Sequence, residues 1–238
     1  MEAKLAELVE RLRAAAAENL KAVVLYGSAV TGEFTSGHSD LNTLCLLGTA
    51  NSSSLEELHP VAEWWIREGN PPPLIFTHDE LVRSADIFPV ELLDIKAQHR
   101  ILFGDDFLAT FEVPLQLHRL QVERELRTAT IRLRQSILAA PLSNRAHLHI
   151  MAASISTFCS LFRHTLIALR QPVPDTRRGV LDAIAVLTGG DPTAFREILD
   201  LREGKRKAGE LDVEADLHSF LSLVEVVTGE VDRLFAAP

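Results

Sequence analysis

The chain has 238 residues, of which 47% are apolar, and a net charge of −9. That length holds one large domain or two small ones with a filled core, and no uncharged apolar run reaches the ~18 residues that a membrane span requires. Through Thr110 there are 8 Lys and Arg against 17 Asp and Glu, whereas the remainder carries 16 of each, so the acidic excess lies in the first half and argues against nucleic acid as a partner there.

The first twenty residues read as a charged, Ala-rich amphipathic helix over Leu5–Leu20, without the apolar stretch and cleavage site of a signal peptide. Lys21–Tyr26 (KAVVLY) is a short β-branched run and predicts a strand, after which Gly27-Ser28 turns the chain into a short helix. LNTLCLL predicts the next strand. Leu55–Glu68 predicts a helix with Leu55, Leu58, Val61, Trp65 and Ile66 on one face, closed by NPPP. LIF opens a third strand, and THDE has the pattern of a capping box with Thr77 as N-cap and Glu80 at the third helical position. PVELLDI is open to two readings. A helix is favoured by Pro89 at its first position, acids near its start and Lys96, His99 and Arg100 near its end; a strand would place Glu91 or Asp94 at a sheet edge. RILFG then predicts a short edge strand.

Beyond Pro114 no strand is evident. Helices are expected over Leu115–Ala139, Asn144–Leu169, Thr176–Leu187, Pro192–Arg202 and Val213–Phe235. The fold class expected is therefore α/β, a small mixed sheet with packed helices over residues 1–110, followed by an all-α up-and-down helical bundle over residues 111–238. A cleft between the two is expected. The Asn144–Leu169 helix is apolar on most sides, which leaves room for a homodimer.

The stretch LYGSAVTGEFTSGHSDLNTLCLL, residues 25–47, holds Gly27-Ser28 at the end of one strand and Ser39-Asp40-Leu41-Asn42 at the start of the next. Residues two apart on a strand share a face, so Asp40 and Asn42 would point the same way, towards the glycine–serine turn. In order and spacing, Gly27, Ser28, Gly32, Ser39 and Asp40 resemble the signature of the nucleotidyltransferase superfamily related to DNA polymerase β, with the small "minimal" and kanamycin-type antibiotic nucleotidyltransferases as the nearest pattern. RILFGDD resembles the RVLYG that closes many of these domains. The motif resemblance covers about residues 20–110, and the bundle resembles the family in architecture only.

The resemblance implies transfer of a nucleoside monophosphate from an NTP to a hydroxyl of a small-molecule or protein acceptor, with Mg²⁺ as cofactor. It makes Gly27, Ser28 and Ser39 nucleotide-binding and Asp40 and Asn42 the catalytic and metal positions. This chain departs from the pattern in three ways. Ala29 and Thr31 stand where many relatives have Arg. Position 42 is Asn where the family has a second acid, and an amide offers a neutral oxygen without charge. The family's third acid has no counterpart in Leu74–Phe76, unless Glu91 or Asp94 lies on a strand. A weak or lapsed transferase follows, the alternative being a non-catalytic nucleotide-binding or protein-interaction module that kept the fold. An acidic half binds a polyphosphate only with a divalent cation between them.

The other polar residues read more simply. His38 reads as a solvated turn residue beside the motif, with contact to a phosphate or base as the alternative; Asp79 and Glu80 cap the next helix, the alternative being a polar cluster of His78, Asp79 and Glu80 at the sheet's edge. His147 and Met151 pack in the core, with Arg163 and His164 as a polar helix end. Arg177-Arg178 and Lys205-Arg206-Lys207 are solvated loops, with a phosphate of the nucleotide as the functional alternative. Trp64-Trp65 gives one core ring and one half-exposed ring. Cys45 and Cys159 sit in apolar runs without zinc spacing and read as buried reduced thiols, which points to a cytoplasmic protein.

Overall fold

The structure is a computed structural model and describes residues 1–30 and 40–236. The chain forms two compact units, residues 1–115 and 116–238.

The first unit is built on a four-stranded mixed sheet in the order β3-β2-β1-β4. Its elements are α1 (Glu2–Ala16), β1 (Leu20–Tyr26), β2 (Asn42–Leu47), α2 (Ser52–Arg67), β3 (Leu74–Thr77), α3 (His78–Ser84), α4 (Pro89–Ala97) and β4 (His99–Phe103). β1 pairs antiparallel with β2 and β4. β2 pairs parallel with β3, reached by the α2 crossover. Period-two alternation sorts the side chains. Val23, Leu25, Leu41, Cys45 and Leu47 face a core made with Leu5, Leu8, Leu12, Leu58, Val61 and Trp65 of α1 and α2. Val24 and Leu44 face Leu81, Leu92 and Ile95 of α3 and α4 on the other side.

Local signals are realised where hydrogen bonds are local. Thr77 and Glu80 form the reciprocal capping box, and Asn51 caps α2 by accepting from Ser54 N at 2.9 Å. PVELLDI is helical, so Glu91 and Asp94 lie on α4 and not on a strand. The α2 face is a correction. Leu55 and Ile66 are exposed, and the buried stripe is Ser54, Leu58, Val61 and Trp65. The helix is turned so that Ser54 sits beneath Asn51 and Asn19, whose side-chain amides bond it.

The second unit is a helical bundle of α5 (His118–Ala139), α6 (Asn144–Ala168), α7 (Arg177–Thr188), α8 (Thr193–Arg202) and α9 (Val213–Ala236). α6 is long and apolar enough to cross a membrane by composition, yet half of its most apolar window is buried. It packs against all four other helices of the unit. Its Phe158 and Phe162 join Phe195 and Phe220, the last two stacked at 3.9 Å between ring centroids. His164 is not a solvated helix end. It is fully buried and shares a 2.9 Å hydrogen bond with buried His118 of α5. Three of the basic residues expected in loops form ion pairs. Arg178, in the first turn of α7, bonds Asp200 and Glu203 at 2.8 and 2.9 Å, Lys205 pairs with Glu203 at 2.6 Å, and Arg206 pairs with Glu197.

Candidate functional site

Three strand ends meet at one rim of the sheet. Tyr26, the last residue of β1, stands opposite Asn42, the first of β2, and opposite His99, the first of β4. Directly after Tyr26 the chain bends at Gly27, whose φ of +80° lies in the left-handed region where a side chain costs about 1–2 kcal/mol. Gly27 N donates to Gln98 O at 3.1 Å, and Val30 N donates to Gly27 O at 2.9 Å, closing one 3₁₀ turn over Gly27–Ala29 that includes Ser28. The amide Nδ2 of Asn42 is 3.5 Å from the place a Cβ on Gly27 would occupy. Asn42 thus lies against the glycine bend.

Asp40 is exposed and lies two residues before the first residue of β2. Leu41, between it and Asn42, is buried in the α1–α2 layer, and alternation sends the side chain of Asn42 to the opposite side. Leu41 N donates to Asn70 Oδ1 at 3.2 Å, a buried bond. Ser39 falls in residues 31–39, outside the described residues, as do Gly32, His38 and Thr31. Ala29 is buried, so an arginine at this motif position would need a different local packing.

The donor set bears on the metal. Among the described residues no group of three or more His, Cys, Asp or Glu side chains lies close enough to hold an ion. One carboxylate and one amide do not make a resident metal site. They do fit an ion that arrives bound to substrate phosphates, since Mg²⁺ in transferases is commonly held by one or two carboxylates plus those phosphates. Glu91 and Asp94 belong to α4, the helix covering the face on which Val24 and Leu44 lie.

Two residues at this rim escape a motif search. Tyr26 is half-buried, and burial pushes its phenol pKa up, so at neutral pH it is a hydroxyl able to donate. The apolar run KAVVLY hides it as one more strand residue. Asn70 is 29 positions from the backbone group it holds, and its only signal is a polar residue following the helix-ending Gly69.

No family model and no curated protein matches the chain. Among solved structures, spectinomycin adenyltransferase AAD(9) from Enterococcus faecialis, determined with ATP and spectinomycin, superposes with a TM-score of 0.56. The match is 13% identical and covers 93% of this chain and 98% of that one. The two chains share a fold. A match of this extent takes in both the sheet unit and the helical unit, so the order of α/β domain and helical bundle is common to the two proteins.

Proposed function

We propose that the chain is a nucleotidyltransferase-type protein. It binds a nucleoside triphosphate as its magnesium complex at the Gly27–Asn42 rim and transfers the nucleoside monophosphate slowly to a hydroxyl of a small-molecule acceptor. The observation that carries this reading is the contact of Asn42 with the Gly27 bend, in a fold shared along nearly its whole length with an adenyltransferase that was crystallised with ATP.

Each residue has a physical part in the scheme. Gly27 has no side chain to keep a phosphate from the backbone of the turn, and the Ser28 N–H follows in the same turn. Among the described residues, Asp40 would supply a full negative charge towards the metal of the nucleotide complex, and Asn42 would supply a neutral oxygen. The cation of the nucleotide complex, held by Asp40 and Asn42, would supply positive charge against the phosphate oxygens. The acceptor oxygen forms its bond to the α-phosphorus as the bond to pyrophosphate breaks, and the hydroxyl proton passes to solvent or to pyrophosphate. An amide in place of a carboxylate removes a full charge from the metal, and each 1.36 kcal/mol lost is about tenfold in rate, which accounts for the low rate assigned.

The test is pyrophosphate release from each of the four common NTPs with Mg²⁺, using an aminoglycoside or aminocyclitol panel as acceptors. Release that depends on an acceptor and vanishes in Asp40→Ala is expected. A second reading, a nucleotide-binding module without turnover, is favoured by Asn42 and by the lack of a group of three acids or other metal ligands among the described residues. Nucleotide-dependent thermal stabilisation with no pyrophosphate from any NTP would select it.

A further inference from the structure

We propose that Asn70 is the positioning residue of this rim: from the end of α2 it clamps the backbone between Asp40 and Asn42 and so sets the direction in which both side chains leave the chain. The proposal rests on the reading that these two side chains face the metal–nucleotide complex.

The geometry begins with how α2 ends. Gly69 N donates to Ile66 O at 2.9 Å and Asn70 N to Trp65 O at 3.3 Å, with Gly69 at a φ of +86°. These two bonds and the left-handed glycine are the Schellman motif, in which the residue after the glycine normally makes an apolar contact with the last helical turn. Here that residue is a polar Asn, only 9% exposed. Three prolines follow, Pro71–Pro73, which restrict the chain leading to β3. Backbone and flanks are therefore held, and the carboxamide is delivered to a set place.

That place is the start of β2. Because β2 and β3 run parallel and α2 is the crossover between them, the end of α2 returns to the level at which β2 begins. There Asn70 Oδ1 accepts the Leu41 N–H. Leu41 precedes the first residue of β2 and so lies outside the sheet's own ladder; a buried N–H in that position needs a partner from elsewhere. The Nδ2 of Asn70 is buried without a hydrogen-bond partner among the described residues. An unsatisfied buried donor is destabilising, and a leucine would fill the apolar position without it.

Isothermal titration with ATP, in Mg²⁺ and again in EDTA, tests the proposal on the full chain. In wild type, ATP is expected to bind at least tenfold more tightly with Mg²⁺. Asn70→Leu supplies the apolar helix-end contact but no acceptor. It is expected to bring that ratio to within about twofold of one while leaving ATP affinity in EDTA within about twofold of wild type. Asn70→Asp keeps an oxygen for Leu41 N–H and is expected to retain the wild-type ratio within about threefold. A ratio unchanged in Asn70→Leu overturns the proposal and leaves the proposed function standing. Equal losses with and without Mg²⁺ overturn it as well, since they mark a purely structural role. Should Asn70→Leu not fold, Asn70→Asp decides: retention supports positioning and loss of the ratio refutes it. If wild type shows no Mg²⁺-dependent ATP binding, the proposed function fails and takes this inference with it.

Discussion

Asn42→Asp is the most informative single substitution. It keeps the side chain's shape, so the packing against the Gly27 bend is preserved, and an oxygen replaces the Nδ2 that lies 3.5 Å from the Cβ position of Gly27. Two residues of extended chain place the Cα atoms of 40 and 42 at most about 7 Å apart. Two carboxylates at that separation repel by about 0.6 kcal/mol in water. Asp40 is exposed and Asn42 partly so, so without metal the variant should lose less than ~1 kcal/mol of stability. With Mg²⁺·NTP the sign reverses. A second carboxylate would act through the cation, tightening the hold on the metal that offsets the shifting phosphate charge; the loss of one preorganised transition-state contact, about 10²–10³ in rate, sets the scale. Initial rates of pyrophosphate release at sub-saturating NTP should therefore rise at least tenfold over wild type, with tighter apparent Mg²⁺ binding. A variant that folds, binds ATP and releases pyrophosphate no faster than wild type would refute the assignment of position 42 to the metal.

Three further outcomes follow from the same reasoning. Asp216, 7% exposed at the start of α9, has its carboxyl pushed up to about 7 by burial and by the neighbouring Glu197; the folded chain thus holds a proton that the unfolded chain releases near pH 4, and stability should fall as pH rises from about 4 to about 7. Asp216→Asn should gain on wild type across that window and stay ahead at pH 8, as read by urea unfolding at each pH. Both thiols are buried, and burial pushes Cys45 up to about 12, so neither should react with Ellman's reagent at pH 8 until urea unfolds the chain, when two thiols per chain should appear. Phe195→Ala removes a fully buried ring from a four-phenylalanine cluster and should cost about 3–5 kcal/mol, visible as a lower urea midpoint at unchanged slope.

What the sequence by itself determined is what rests on bonds spanning three or four residues and on periodicity. Thr77 and Glu80 are three apart, and their capping box is legible in four letters. Pro89 with flanking charges marks α4, a β-branched run marks β1 and a short apolar run marks β2. The glycine–serine bend and the Asp40–Asn42 pair were visible as a motif because strand ends announce themselves through Gly, Ser and Asp. What only the tertiary structure decided is which faces meet. That Asn42 lies against Gly27 depends on the antiparallel register placing it opposite Tyr26. The choice of Ser54 over Leu55 for the inner face of α2 depends on a polar contact with Asn19. The buried pairs Asn70–Leu41 and His118–His164 span 29 and 46 residues. In each, a polar group that reads as surface or loop is drawn inside because a distant partner satisfies its hydrogen bond there. Local pattern carries no record of that partner, since it comes close only when the layers pack.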